Sequence, residues 1–261
     1  MMQVKTPVVA GLFYPGNERE LRSTLNKLVR SADVDFSERP HALIAPHAGY
    51  QYSGPIAASA YATLAPWADQ IHCAVVLAPS HRVPFRGLAT SSADAFQTPL
   101  GRVPVDRSAV DRLVGLPGVQ QLDAAFAQEH ALEVQLPFLQ ETLGEFLLVP
   151  LIVGDAEADE VSAVIEDLYT GDTLIVVSSD LSHFLDYRSC QQRDRSTTAM
   201  IEAMHADRIG PYDACGAYPI RGLLKTAQRH GWQVRTLDLR NSGDTSGDKS
   251  RVVGYGAYEF Y

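Results

Sequence analysis

The stretch TLIVVSSDLSHF, residues 173–184, joins an apolar run to a polar end. Residues 173–177 are apolar or β-branched without alternation, which predicts a strand that is covered on both faces. The chain then becomes polar within one step, at Ser178, Ser179, Asp180, Ser182 and His183. Ligands of open α/β sheets bind beyond the carboxyl ends of the strands, so this stretch predicts a central strand with a functional site at its end.

Three other apolar runs have the same character: HALIAPHAG (41–49), CAVVLAPSH (73–81) and FLLVPLIVG (146–154). Segments with helical periodicity separate these runs, which predicts an α/β sandwich with a largely parallel central sheet covered by helices. Two late segments, WQVRTLDLR (232–240) and RVVGYGAYEFY (251–261), read as antiparallel neighbours, so the sheet is expected to be mixed. We expect residues 1–261 to form a single domain.

Two helix starts are predicted from capping residues. Asn17 precedes a helix whose leucines share one face, and Ser53 precedes an alanine-rich helix that ends before Pro66.

The segment EHALEVQLPFLQETLG, residues 129–144, has the leucine spacing of a helix. His130 and Glu133 are three residues apart and share a face, with Glu129 beside them. These side chains either reach the functional site or form a solvated face, and periodicity alone favours the solvated face.

Three predicted strands end next to chemically active side chains. His47 follows the first strand, His81 follows the second, and Asp180 and His183 follow the strand at 173–178. If these strands are parallel neighbours, the side chains converge, and two imidazoles with a carboxylate suit Fe(II), Zn(II) or Cu(II). A further histidine moves protons near neutral pH. The plainer alternatives are histidines bonded to loop backbone and an Asp180 that caps the following turn.

The loop NSGDTSGDKS, residues 241–250, carries two SGD units. Its glycine spacing does not fit a P-loop, and its acidic residues do not fit an EF-hand. The glycines allow close approach of a ligand, although a plain turn explains them equally well.

Composition narrows the class of protein. The chain has 261 residues and a formal net charge of −9, which argues against nucleic acid or an anionic membrane as the main partner. Its three cysteines form no CxxC pair, which suits a reducing cytoplasm. We find no signal-peptide pattern at the N-terminus and no apolar run long enough for a membrane span, and therefore expect a cytoplasmic protein.

The sequence resembles the Memo family, named after the mediator of ErbB-driven cell motility, over almost its whole length. The matching segments occur in family order: PVVAGLFYPG (7–16), PHAGYQYSGPIAA (46–58), LAPSH (77–81), TPLGRVPVD (98–106), EHALEVQLPFLQ (129–140), VPLIVGD (149–155), SSDLSHF (178–184), CGAYPI (215–220) and NSGDTSGDKSRVVGYGA (241–257). Memo proteins in turn look like the class III extradiol, or LigB-like, dioxygenases. These are α/β proteins with non-haem Fe(II), or in some members Zn(II), at the sheet edge.

The resemblance implies roles for individual residues. His47 and His81 match metal ligands. His183 matches the histidine that serves as acid/base or, in the zinc-type members, as an extra ligand, with Asp180 as its support. The third ligand of the dioxygenases, a glutamate near the C-terminus, corresponds to Thr245 here, so the adjacent Asp244 is expected to complete a 2-His-1-carboxylate set.

The remaining site residues are expected to contact the substrate. They are Tyr50, Glu129, His130 and Thr245.

Two kinds of function follow. The first is a mononuclear metal enzyme, with Fe(II) expected and Cu or Zn as alternatives, that activates oxygen or, with zinc, hydrolyses its substrate. The second is a module that binds phosphorylated peptides on the dioxygenase scaffold without turnover. The substrate is expected to be a small molecule or a peptide. The frequent pairing of prokaryotic Memo proteins with a radical-SAM protein implies a partner of that type.

Overall fold

The computed structural model describes residues 2–34 and 38–261. Its strands are β1 (Val4–Lys5), β2 (Ala42–Ala45), β3 (Cys73–Pro79), β4 (Leu88–Thr90), β5 (Ala95–Thr98), β6 (Gly101–Pro104), β7 (Val119–Gln121), β8 (Leu147–Val153), β9 (Thr173–Ser178), β10 (His183–Leu185), β11 (Val234–Asn241) and β12 (Val252–Phe260). Its α-helices are α1 (Glu18–Arg30), α2 (Tyr50–Ala62), α3 (Arg107–Leu113), α4 (Ala124–Ala127), α5 (Leu136–Leu143), α6 (Ala158–Leu168), α7 (Tyr187–Glu202), α8 (Ala217–His230) and α9 (Ser242–Thr245). Short 3₁₀ turns lie at Ala65–Gln70, Glu133–Gln135 and Ala206–Arg208.

The main sheet has the strand order β10-β12-β2-β9-β3-β8-β4-β7, and β11 also pairs with β12. Its centre, β2-β9-β3-β8, is parallel, whereas β12 runs antiparallel to β2 and β4 runs antiparallel to β8. The predicted mixed, largely parallel sheet is therefore confirmed, as is the antiparallel pairing of β11 with β12. A smaller sheet of order β1-β5-β6 lies beside it.

Helices cover both faces of the central strands. Every residue of β2 and β9 is buried, although successive side chains of a strand point to opposite faces. Helices α1, α2 and α5 pack together, with α2 against β2 and β12, while α6 packs on α8 and α8 packs on β3 and β9. The long apolar runs thus form strands because both of their faces are taken out of water.

The parallel register brings three strand ends to one edge of the sheet. Ala45 lies opposite Ser178 at the ends of β2 and β9, and β9 lies between β2 and β3. His47, His81 and Asp180 each follow two residues after the last residue of their strand. The sequence prediction that these side chains share one edge therefore has its structural basis in the order β2-β9-β3.

The two predicted helix starts have different outcomes. Asn17 caps α1, where its side chain accepts a hydrogen bond from the N–H of Glu20 at 3.2 Å. The prediction for Ser53 is wrong, because α2 begins at Tyr50 and the N–H of Ser53 already donates to the carbonyl of Gly49. The Ser53 hydroxyl instead donates backward to the carbonyl of Ala48 at 2.9 Å, a common use of serine inside a helix.

The solvated face predicted for Glu129, His130 and Glu133 is also wrong. Residues 129–132 are not helical, a 3₁₀ turn follows, and the α-helix begins only at Leu136, next to Pro137, which is well suited to a helix start. Glu129 and Glu133 are 4% and 5% exposed, because their carboxylates accept backbone N–H groups instead of facing water.

In the part of the chain that the structure describes, no helix is both long enough and apolar enough to cross a membrane.

Candidate metal site

Three imidazoles meet at the carboxyl edge of the sheet. His47 follows β2, His81 follows β3, and His130 comes from the segment between α4 and the 3₁₀ turn at 133–135. One ring nitrogen of each lies within 4.8 Å of those of the other two, and the ring centroids are 5.3, 5.5 and 5.3 Å apart. Among the described residues this group has the composition and spacing to hold a metal ion.

His47 is the most constrained of the three. It is 2% exposed, and its N–H donates to Oδ1 of Asp180 at 2.8 Å. Its Nδ1 contacts the hydroxyl of Ser178 at 2.9 Å, while its Nε2 lies 3.3 Å from the sulfur of Cys215. Backbone and ring are therefore both fixed from the neighbouring strand β9.

Glu129 fixes the other two histidines. Its Oε1 lies 2.9 Å from Nδ1 of His81 and 3.3 Å from Nδ1 of His130. The same carboxylate accepts the N–H groups of His81, His130 and Ala131 at 2.7, 2.9 and 3.0 Å. A carboxylate behind a ligand histidine orients the ring and raises its basicity, as is usual around protein metal ions.

Burial sets the charge state of these groups. It lowers the pKa of His47 well below the usual range, and the nearby His81 and His130 lower that pKa further. Burial also lowers the pKa of His130, against the opposing charge of Glu129. For Glu129, burial opposes ionisation, but the hydrogen bonds and charge of His81 outweigh it and lower the pKa to about 2. At neutral pH, His47 and His130 are therefore neutral, which is the form that binds a metal.

A cavity of about 650 Å³ opens beside the cluster and gives it access from solvent. Its lining combines an aromatic wall with polar groups from four parts of the chain. The lining residues are Leu12, Phe13, Ala48, Gly49, Gln51, Tyr52, His130, Asp180, Ser242, Ser246, Asp248, Arg251, Val253 and Tyr255.

The N-terminal segment forms one wall of this cavity because Glu133 holds it there. The carboxylate of Glu133 accepts the N–H groups of Val8 and Val9 at 2.6 and 3.0 Å and the hydroxyl of Tyr14 at 2.6 Å. The ring of Phe13 then meets His130 edge-on, with centroids 4.9 Å apart.

Asp180 and His183 lie near the cluster but are not bonded to each other in the way the sequence suggested. Nδ1 of His183 lies 2.8 Å from the carbonyl of Leu181, so this carbonyl, which can only accept, orients the exposed ring. Asp180 is 5% exposed and supports the backbone of His47. Burial raises the pKa of Asp180, partly offset by the N–H of His47.

Asp244 is exposed, and its carboxylate forms hydrogen bonds outside the imidazole cluster. Its carboxylate accepts the hydroxyl of Tyr187 at 2.6 Å and the N–H of Asn241 at 3.0 Å, as part of the capping box of α9. Among the described residues it does not belong to the imidazole cluster, and its ligand role stays a prediction. The hydroxyl of Thr245 donates to the carbonyl of Ser242 at 3.3 Å, and Thr245 is not part of the cavity lining.

Tyr50 and Tyr52 show how helix geometry separates neighbouring residues. Tyr50 is buried, its hydroxyl donates to the carbonyl of Val134 at 2.8 Å, and its ring packs against Tyr14 and Phe138. Tyr52 is 37% exposed and lines the cavity.

His130 and Cys215 both lie next to His47. His130 is predicted to contact substrate, and the structure also places its ring in the imidazole cluster, next to the carboxylate of Glu129. Cys215 is not among the site residues expected from the sequence, yet its sulfur lies beside Nε2 of His47 and accepts the N–H of Asp180 at 3.3 Å. Burial raises the pKa of this thiol. No local pattern in CGAYPI indicates this placement.

The donor set fits a divalent first-row metal. It has three imidazoles, a carboxylate behind His81, and a cavity that leaves room for further ligands. Fold and site together define an α/β sandwich protein with a candidate metal centre at the carboxyl edge of its sheet.

Comparison with known proteins identifies the family of this chain. It matches the model of the Memo family, described as Memo-like protein, over residues 5–259. It is 36% identical to a MEMO1 family protein of Methanopyrus kandleri and 34% identical to one of Methanosarcina acetivorans, with 98% of each chain covered in both cases. A MEMO1 family protein of Aquifex aeolicus is 32% identical, over 97% of this chain and 98% of the relative. The chain belongs to the Memo family.

A solved structure supports the fold alone. The uncharacterized protein JW3007 from Escherichia coli K12 aligns with a TM-score of 0.55 at 13% sequence identity. The alignment covers 84% of this chain and 99% of that one.

Proposed function

We propose that this protein is a mononuclear metal enzyme in which His47, His81 and His130 hold the metal. The observation that carries the proposal is the convergence of these three imidazoles on one point, with Glu129 behind two of them. His47 and Glu129 are buried, and buried polar and ionisable groups, whose burial costs free energy, cluster at functional sites. Fe(II) is the first candidate metal, with Cu and Zn as alternatives.

The bound metal would supply a Lewis acid and, as Fe(II), a redox centre for the activation of oxygen. The residues of the chain would provide the nitrogen atoms that bind the metal and the walls of the cavity beside it. Neutral His47 and His130 present lone pairs without prior loss of a proton, and Phe13 and Tyr52 form the aromatic side of the entrance. The dioxygenase-like chemistry in this proposal rests on the family resemblance.

His183 is proposed to take a proton from the substrate. The carbonyl of Leu181 accepts from Nδ1–H, so the neutral ring keeps its lone pair on Nε2, which is the form of a general base. The ring is exposed and adjacent to β12, whose Val253 lines the cavity.

The substrate is proposed to be a small molecule or a peptide side chain that enters the cavity of about 650 Å³. Ser242, Ser246 and Arg251 are polar residues of the lining of this cavity. A radical-SAM partner protein remains part of the proposal on the strength of the family resemblance alone.

A zinc-dependent hydrolase is the second candidate, and the donor set itself favours it. Three imidazoles without a carboxylate ligand form a known catalytic zinc set, in which the fourth position is left for water. Metal content separates the two candidates, because oxygen activation needs a redox-active metal whereas hydrolysis does not.

The test is anaerobic purification followed by metal analysis of the wild type and of His47→Ala, His81→Ala and His130→Ala. We expect about one metal per chain in the wild type and a large loss in each variant. His205→Ala is the control, because His205 is an exposed histidine outside the cluster. Wild-type protein that holds no more Fe, Cu or Zn than these three variants would remove the basis of both enzyme candidates and favour a binding module.

A further inference from the structure

A chain of buried side-chain hydrogen bonds runs from helix α2 to His47. The hydroxyl of Tyr61 donates to Oε1 of Gln135 at 2.8 Å, Nε2 of Gln135 donates to the hydroxyl of Ser178 at 2.7 Å, and that hydroxyl contacts Nδ1 of His47 at 2.9 Å. Tyr61, Gln135 and Ser178 are fully buried. Polar groups are rarely buried so completely unless every donor and acceptor has a partner.

The orientation of the Gln135 amide is fixed by two backbone carbonyls. Its Nε2 also lies 3.1 Å from the carbonyl oxygen of Pro46 and 3.4 Å from that of Ala45. Turning the amide over would place Oε1 against these oxygens, with no hydrogen between them. Nε2 therefore faces Ser178, and the serine oxygen must accept from it.

The single hydrogen of the Ser178 hydroxyl has its own acceptor. Ser178 Oγ lies 2.7 Å from the carbonyl oxygen of Ala131, which can only accept. The hydroxyl thus accepts from Gln135 and donates to Ala131, and its remaining lone pair faces Nδ1 of His47. That contact is a hydrogen bond only if Nδ1 of His47 carries the proton.

We propose that Tyr61, Gln135 and Ser178 are positioning residues that hold neutral His47 in its Nδ1–H tautomer, with the lone pair on Nε2. The opposite side of the ring agrees with this assignment. The sulfur of Cys215 lies 3.3 Å from Nε2 of His47 and 3.6 Å from the carbonyl oxygen of Asp180, so an unprotonated Nε2 is the nearer acceptor for the thiol hydrogen.

The consequence for the site rests on the proposed function, although the tautomer itself does not. In this tautomer Nε2 accepts a metal without a proton first moving on the ring. The other tautomer would carry its hydrogen on Nε2, the nitrogen needed for the metal. Its Nδ1 would then need a hydrogen-bond donor, and Ser178 could donate to it only by giving up its hydrogen bond to the buried carbonyl of Ala131.

The test is long-range ¹H–¹⁵N correlation NMR of metal-free protein labelled with ¹⁵N-histidine, at pH about 7.5. His47 signals are assigned by their disappearance in His47→Gln. We expect a protonated Nδ1 and an unprotonated Nε2 for His47. A protonated Nε2, or a fast mixture of both tautomers, in the wild type would overturn the proposal whatever the variants do.

The variants test the role of the hydrogen-bond chain. Ser178→Ala and Gln135→Met are expected to give a mixture of tautomers and to weaken binding of Co(II), used as the probe, by about 10- to 100-fold. Ser162→Ala is the matched control, because it removes an equally buried hydroxyl from the contact between α6 and Thr226 of α8. Equal losses in Ser178→Ala and Ser162→Ala would reduce Ser178 to general structural support and overturn its positioning role.

The outcomes for the tautomer and for the metal are separable. An Nδ1–H tautomer in protein that binds no metal would sustain this inference while the proposed function fails. Tight Co(II) binding with a protonated Nε2 in the metal-free protein would do the reverse.

Discussion

Glu129 and His81 form a carboxylate–imidazole pair in which Oε1 of the buried glutamate lies 2.9 Å from Nδ1 of the more exposed histidine. The carboxylate is only 1% exposed, and it also binds the backbone N–H of the same histidine. Ring and backbone of His81 are thus held by one side chain that comes from another part of the chain. Because the same carboxylate also contacts Nδ1 of His130, Glu129 holds both histidines in place.

Glu129→Gln should weaken Co(II) or Zn(II) binding by about 10- to 100-fold, because the substitution removes the charge behind two of the imidazoles. It should also lower the free energy of unfolding by about 2–3 kcal/mol, since the amide places an N–H₂ group among backbone donors. Metal titration and urea unfolding measure the two effects. Glu20→Gln, at an exposed position in the first turn of α1, should change neither. Unaltered metal affinity in Glu129→Gln would show that the carboxylate does not support the site.

The second prediction concerns pH. Burial lowers the pKa of His47 below its ordinary value of 6.5, so below that pH the unfolded chain binds more protons than the folded metal-free protein. The free energy of unfolding of EDTA-treated protein should therefore fall as the pH decreases from about 6.5 towards the lowered pKa.

Urea unfolding at several pH values between about 5.5 and 7.5 measures this slope. His47→Gln should have a shallower slope than the wild type, with a remainder to which His41 and His130 contribute, because the pKa of each is also lowered by burial. A wild-type stability that rises on acidification in this range would contradict the assignment of His47 as a buried neutral imidazole.

The fold could be predicted from the sequence because its signals are local. The apolar runs of β2, β3, β8 and β9 need only their own residues to be recognised, and Asn17 caps a helix through neighbouring backbone. The start of α2 was missed because a serine hydroxyl satisfies a carbonyl inside a helix as readily as an N–H at its start.

The site was harder to predict because its decisive contacts are distant in sequence. His47 and His81 follow strands and could be recognised, whereas His130 joins them only because Glu129 bonds to His81, 48 residues away. The residues around Asp244 in the sequence do not indicate that its carboxylate accepts a hydrogen bond from the hydroxyl of Tyr187, 57 residues away. Periodicity reports burial of apolar faces and carries no information about which carboxylate accepts which N–H.

The third prediction concerns the cavity wall. Glu133→Ala removes the acceptor of three hydrogen bonds from the N-terminal segment. We expect faster hydrogen exchange across residues 8–14 and a loss of about 2–4 kcal/mol in the free energy of unfolding. Tyr14→Phe removes only one of the three bonds and should cost about 1 kcal/mol, with a smaller change in exchange. Exchange in residues 8–14 that is unchanged in Glu133→Ala would mean that another contact holds this wall.

The last prediction tests how the loop that carries Asp180 and His183 is held. The backbone of Gly254 pairs with Leu181 and Ser182 at 2.8 Å each, and a Cβ at this position would overlap the carboxylate of Asp194, which itself accepts the N–H of Ser182. Gly254→Ala should therefore lower the free energy of unfolding by about 1–3 kcal/mol and displace this loop. Gly171→Ala is the control, since a Cβ there meets nothing within 4 Å. Urea unfolding measures the cost, and equal stability of the two variants would show that the loop tolerates a side chain at residue 254.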